Sequence, residues 1–438
     1  MITDDNKKLA QWAMEYALKN GCQAAKLVLY TNSNSSFELR DGKMDRLQQS
    51  TENGLGLNLY VDGRFGSFST NRLDKKELET LITNGIESTR YLAVDESRML
   101  ADPARYYKGG KPDLQLFDKK LYEVNPDDKV AIARAAAEEV LGKDERIISV
   151  DSSYSDGEGS SYRLISNGFE GESKSTWFSV SASVSIKGEG EARPQDYYDS
   201  ALFYDKLTKT GIGAKALERV LRKLGQKKAK SGKYTMVVDP MNVGNLLSPM
   251  LSALYGSALQ QKNSFLMDKL DTKVASDLFT LRDEPHAIGA NGSRYFDNEG
   301  VATEPRTVFD KGVLKTYFID TYNGKKMDIA PTISAPSRLI LTPGDKDLNG
   351  LVADIKQGIL VTGFNGGNSN SSTGDFSYGI EGFLIEDGKL TQPVNEMNVT
   401  GNMVTLWNSL VAVGNDPQPN RSWQIPSLVF EGVDFSGL

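Results

Sequence analysis

Val243-Gly244-Asn245-Leu246-Leu247-Ser248-Pro249-Met250-Leu251-Ser252-Ala253-Leu254-Tyr255-Gly256-Ser257-Ala258-Leu259 carries two stripes. Val243, Leu246, Leu247, Met250, Leu251, Leu254, Tyr255, Ala258 and Leu259 recur at the 3.6-residue period that buries one face of an α-helix. The opposite stripe is small: Ser248, Pro249, Ser252, Ala253, Gly256 and Ser257. With Asp239-Pro240 as a start signal, the pattern predicts a helix reaching Gln261. Small residues let another backbone pack close. Pro249 lacks an N–H and kinks or restarts the helix. Alternatively, Ser248-Pro249 is the N-cap and first turn of a second short helix. Neither reading supplies a catalyst.

Upstream, helices and antiparallel hairpins come in separate blocks, which predicts an α+β class. Leu9, Trp12, Ala13, Tyr16 and Ala17 mark a helix over Thr3–Gly21, ended by Gly21. Asp41-Gly42 within Phe37–Leu47 and Asp62-Gly63 within Leu55–Phe68 are hairpin signals. Helical spacing returns over Leu73–Leu92, and again from Asn125-Pro126 to Gly142. Residues 147–190 read as strands: Phe178, Val180, Ala182, Val184 and Ile186 alternate with Ser179, Ser181, Ser183 and Ser185, one face on a core and one on water. A helix over Leu207–Leu224 ends in Arg222, Lys223, Lys227, Lys228, Lys230 and Lys233. Such a run can touch phosphates, but it reads as a solvated linker with cations near a helix C-terminus. It divides the chain into an N-terminal α+β domain, 1–229, with a further split near 100–125, and a C-terminal α+β domain, 230–438. Downstream, Tyr234–Val238 reads as a strand, and Asp310-Lys311-Gly312 and Asp387-Gly388 as hairpin turns. The Gly-, Asn- and Ser-rich stretch Gly363–Gly382 lacks a P-loop pattern.

Composition narrows the chemistry. Among 438 residues there is one His, His286, and one Cys, Cys22. An internal disulfide is impossible, and so is a zinc site built from several His or Cys ligands of one chain. With 51 Lys+Arg against 58 Asp+Glu the formal charge is −7, which gives no support for direct nucleic-acid binding. The polar opening Met1–Lys8 is unlike a signal peptide, and no run of about 18 apolar residues suggests a membrane span. The expected compartment is the cytoplasm.

Gly244-Asn245-Leu246-Leu247-Ser248-Pro249, Ser264-Phe265-Leu266 and Asp283-Glu284-Pro285-His286 resemble the TldD/PmbA family. So do Phe296–Thr303, Gly312–Phe318, Gly379–Lys389 and Ala412–Asp416, an ordered series spanning the C-terminal half. Phe37–Leu47 resembles the family's N-terminal domain more loosely. Members have been labelled modulators of DNA gyrase and are viewed as metalloproteases. The resemblance implies a two-domain fold of antiparallel sheets with packed helices. It also implies two branches: TldD-like chains carry HExxxH on this helix and a late Cys, assigned to zinc, whereas PmbA (TldE)-like chains lack them and pair with a TldD-like subunit. Aligning the Leu-Leu pair puts Ser248 and Ala253 where the two His belong and Pro249 where the Glu belongs. No Cys follows Asp416. Ser, Pro and Ala cannot supply zinc's N and S donors, and Pro cannot act as a general base.

Other candidates have bland counterparts. His286 is a general base or pH switch, or a loop histidine with a structural hydrogen bond. Asp297 and Glu299 hold a hard cation, or form a turn with Asn298 and Gly300. Cys22 reads as a small filler without the neighbours that make a thiolate. Tyr197, Tyr198 and Tyr204 stack ligands or pack. The reading adopted is a PmbA/TldE-type, metal-free, non-catalytic subunit of a two-component metalloprotease acting on unfolded or short peptides and maturing small ones. No catalytic, cofactor or metal residue is assigned; zinc is expected in the TldD-like HExxxH partner. The alternatives are an independent metallopeptidase using Asp283, Glu284, Asp297 and Glu299, a protein-binding modulator of DNA gyrase, or an isolated homodimer.

Overall fold

The computed structural model describes residues 2–188 and 193–438, so residues 189–190 of the predicted strand region, like Met1, lie outside the described residues. Helix α1 (Asp4–Lys19) leads into the strands β1 (Ala24–Arg40), β2 (Lys43–Val61) and β3 (Arg64–Thr70), then α2 (Lys75–Thr89). Helix α3 (Pro126–Glu138) precedes β4 (Ile147–Ile165), β5 (Phe169–Ile186) and β6 (Arg193–Ala201), and α4 (Ile212–Leu221) follows. The six strands make one antiparallel sheet in the order β3-β2-β1-β4-β5-β6. Asp41, Gly42, Asp62 and Gly63 all have positive φ, as the two tight turns require.

Strands β1, β2, β4 and β5 have 17 to 19 residues each, enough for two helix pairs along one face. Helices α1 and α2 cover Leu27, Leu29, Leu57 and Leu59. Helices α3 and α4 cover Phe37, Leu39, Phe178 and Val180. Between these apolar patches lies a buried polar band with Ser35, Lys129, Asp156 and Glu158. The buried face of α1 centres on Ala10, Ala13, Met14 and Ala17, with Leu9, Trp12 and Tyr16 at its rim. The small side chains let the helix sit close to the sheet. Helix α4 is shorter than predicted: it starts after Gly211, whose φ is 79°. The Glu139 carboxylate accepts the N–H groups of Gly211, Gly213 and Ala214 there.

The second half contains β7 (Gly232–Val238), α5 (Gly244–Ser252), α6 (Gly256–Gln260), β8 (Leu281–Asp283), β9 (Arg306–Asp310), β10 (Val313–Leu314), α7 (Thr321–Met327) and β11 (Leu339–Leu341). It continues through α8 (Leu348–Ala353), β12 (Gln357–Ser369), β13 (Asp375–Glu386), β14 (Lys389–Asn402), α9 (Met403–Asn408), β15 (Leu410–Val413), β16 (Trp423–Gln424) and β17 (Leu428–Ser436). One mixed sheet runs β14-β13-β12-β7-β17-β15, and a further pairing of β14 with β17 closes it on itself. A smaller mixed sheet runs β10-β9-β8-β11-β16. Strand β7 is covered on both faces: Met236 and Val238 join the cluster containing α5, while Val237 joins the one containing α8. The Gly-, Asn- and Ser-rich stretch is the β12–β13 hairpin. The class is α+β.

Two readings need correction. The single helix predicted over 239–261 is broken: 239–243 is a turn, α5 begins at Gly244, and residues 253–255 separate α5 from α6. Pro249 lies inside α5 and does not start a new helix there. The basic run is not wholly a solvated linker. Lys223 is 5% exposed and its ammonium contacts the Glu381 carboxylate in the closed sheet. Burying an ammonium requires such a partner. Among the described residues, no helix is long and apolar enough to cross a membrane.

Candidate functional site

Helix α5 is held from behind. Leu246, Leu247, Met250 and Leu251 are buried against the closed sheet. Trp407 of α9 donates its indole N–H to the Leu246 carbonyl at 3.4 Å. Its ring lies 4.4 Å from that of Phe279 and 5.6 Å from that of Phe430. Asp239 fixes the entry: its carboxylate accepts from the Asn242 backbone and side-chain amides at 3.0 and 2.7 Å. Burial pushes this carboxyl above the usual range, against the Asn242 bonds and the Arg219 charge.

The small stripe divides. Ser248 and Ser252 are exposed and Pro249 is half-buried, whereas Ala253 and Gly256 are buried. Ala253 is 1% exposed. Its carbonyl, at the break between the helices, accepts the Ser264 hydroxyl at 2.6 Å. Gly256 permits a close crossing, since a Cβ there would lie 2.9 Å from the Asn323 Cβ. The close-packing role of small residues thus applies at Gly256 rather than along the whole stripe.

Ser248, Pro249 and Ala253 do not fit zinc. They offer one neutral hydroxyl, a tertiary amide and a methyl group, where zinc takes imidazole, thiolate or carboxylate. Asp416 accepts the Leu348 and Ser427 N–H groups and the Ser427 hydroxyl, all at 2.8–2.9 Å.

The candidate carboxylates are engaged as structural acceptors. Asp283, 2% exposed, accepts the Ser337 and Arg338 N–H groups at 2.8–3.1 Å. Its carboxyl is raised by burial, which these bonds oppose. Glu284 receives the Arg282 guanidinium at 2.7 Å. Asp297, 1% exposed, takes three backbone N–H groups, from Glu299, Val301 and Ser334. Glu299 accepts the Thr321 N–H and hydroxyl at 2.9 and 3.0 Å, and burial raises its carboxyl too. Gly300, with φ 80°, completes the predicted turn. Among the described residues, no group of three or more His, Cys, Asp and Glu side chains is placed to hold a metal ion.

His286 Nε2 lies 3.0 Å from the Thr303 hydroxyl oxygen. That hydroxyl donates to the Arg294 carbonyl at 2.5 Å, so the imidazole is the donor to it. Burial lowers the His286 pKa, with Lys111 adding to the effect. Cys22 is buried, and burial pushes its thiol up to about 11 despite Arg90. Tyr204 packs edge-on against Phe178, and Arg421 stacks on Tyr198.

No local pattern in the sequence marks the seam between the halves. Lys26 on β1 and Arg163 on β4 are diagonal neighbours through the pairs Lys26–Ile165 and Val28–Arg163. Arg163 donates to the Asp297 carbonyl at 2.9 Å, and Lys26 to that of Asn298. Beside this seam lies a cavity of about 660 Å³, lined among others by Tyr107, Phe117, Arg163, Lys174, Arg294 and Tyr295.

Comparison with known proteins places this architecture among the metallopeptidase homologues. Residues 231–437 match the PmbA/TldA metallopeptidase C-terminal domain, 119–224 the central domain and 25–89 domain 1. The chain belongs to the PmbA/TldD family. The solved structure of a proposed modulator of DNA gyrase from Bacteroides thetaiotaomicron is 73% identical, with a TM-score of 0.98 and 100% of both chains covered. A metalloprotease PmbA homologue of Haemophilus influenzae is 27% identical, covering 98% of this chain and 96% of that protein. TldE from Thermococcus kodakarensis shares the fold, with a TM-score of 0.83 at 20% identity over 98% of this chain and 100% of that one.

Proposed function

We propose that this chain is the metal-free subunit of a two-component cytoplasmic peptidase, paired with a TldD-type subunit that carries HExxxH and the zinc. The observation that carries the reading is a well-packed α5 in which exposed Ser248, half-buried Pro249 and, at the bend, buried Ala253 stand at the motif positions. The helix keeps its apolar anchorage while its outward chemistry lacks donors and a base. The substrate class is unfolded or short peptides, which add to sheet edges through main-chain hydrogen bonds. The test is mixing. The chain alone is inactive on an unfolded peptide, and addition of an HExxxH-bearing family member produces chelator-sensitive cleavage faster than that member gives by itself. Equal chelator-sensitive cleavage by this chain alone and by the mixture contradicts the proposal.

A second reading follows from the gyrase description of the Bacteroides relative. With a net charge of −7 it takes the form of protein binding to gyrase rather than DNA binding. Recovery of gyrase without a TldD-type chain in a pull-down favours it.

A further inference from the structure

We infer that a cavity between α4 and the closed C-terminal sheet is a binding site for a carboxylate carried on an apolar body. The cavity holds about 620 Å³. Lys215 and Arg219 of α4 and Arg222 at its C-cap line it at spacings of four and three residues, hence from one helix face. Lys389 lines it from the start of β14, and Leu360, Phe383 and Leu390 give it apolar surface.

Two residues of the cavity wall, Arg219 and Thr362, carry polar atoms left over by the fold. The Nε of Arg219 and the Oγ1 of Thr362 are buried without a hydrogen-bond partner among the described residues. The Arg219 guanidinium donates through Nη1 to the Met241 sulfur at 3.5 Å, a weak acceptor. A buried guanidinium edge without an oxygen acceptor is costly, and a carboxylate satisfies two of its N–H groups at once. Lys223 does not add to the demand, because Glu381 neutralises it. Glu218 lies 3.4 Å from Arg222, and Asp239 is bonded to Asn242. These two carboxylates trim the positive surplus and disfavour a dianion. The apolar wall favours an organic anion over a bare one, and Arg222 already stacks on Phe383 at 4.9 Å. The run Arg222–Lys233 that reads as a linker in sequence thus begins at the rim of a built pocket.

Isothermal titration of the full chain with N-acetyl-leucyl-leucine, its C-terminal amide and inorganic phosphate tests this. The free acid binds, the amide binds at least about tenfold more weakly, and phosphate competes poorly. Arg219→Gln loses about tenfold for the acid with an unchanged melting curve; if that variant fails to fold, the exposed Lys389→Ala takes its place and weakens the acid severalfold. Equal binding of acid and amide, no binding of the acid, preference for phosphate, or wild-type affinity in the folded variant each overturns the proposal.

Discussion

The Ser264 hydroxyl donates to the Ala253 carbonyl at 2.6 Å, and this bond joins the segment after α6 to the point where α5 stops. The same Ser264 oxygen accepts the Leu266 N–H at 3.1 Å. One buried side chain therefore satisfies a carbonyl at the helix break and an amide in the segment that follows α6. Ser264→Ala strands both groups. The expected loss is about 1–3 kcal/mol of unfolding free energy, read by urea denaturation. An unchanged midpoint would remove this bond from the account of the break.

Asp156 and Lys129 form an ion pair at 2.6 Å, with side-chain exposures of 3% and 10%. Asp156 also accepts the Ser35 hydroxyl and, at 3.1 Å, the Tyr154 hydroxyl. Removing one member leaves the other charge buried, so Asp156→Ala destabilises by about 3–5 kcal/mol. The double variant Lys129→Met, Asp156→Leu recovers most of that loss. Chemical denaturation of both variants decides the point, and a double variant no better than Asp156→Ala argues against charge burial as the cause.

Lys26 titrates low. Burial, with Arg163 adding to it, brings its ammonium from 10.5 down to about 8, against the pull of Glu299 and Asp297. Between about pH 8 and 10.5 the unfolded chain binds the proton and the folded chain does not, so this residue's contribution to stability rises with pH in that window. Below pH 8 both states are protonated and the burial cost is fully present. Relative to Lys26→Met, the wild type gains on the order of 1 kcal/mol across the window after allowance for solvent screening. Parallel pH-dependent curves for the two proteins would contradict the assignment.

Cys22 is buried and its thiol is raised to about 11, so little thiolate exists at pH 8. Reaction with a thiol reagent is expected to be slow in the folded protein and rapid in denaturant. Rapid stoichiometric labelling of the native chain would contradict this environment.

Local chemistry made much of the fold legible. The paired turns at Asp41-Gly42 and Asp62-Gly63 and the alternation from Phe178 to Ile186 appear as read, because positive φ and half-burial leave marks within a few residues. Helix α4 and the α5–α6 break were less legible, since their ends depend on distant partners. Glu139 fixes the start of α4 and Ser264 secures the α5–α6 break. The absence of zinc donors at Ser248, Pro249 and Ala253 is a matter of residue identity and is legible in the sequence itself. The Lys26–Arg163 seam and the Arg219 cavity were not readable, because strand register and packing across the two halves bring those side chains together.

Metal content decides whether this chain is the metal-free subunit. The chain is purified, incubated with excess zinc, freed of loose ions by dialysis against a weak chelator and measured by elemental analysis. Zinc far below one equivalent per chain is expected, unaltered by Ser248→Ala. One firmly held equivalent, with anomalous density beside Ser248 or Ala253, would contradict it.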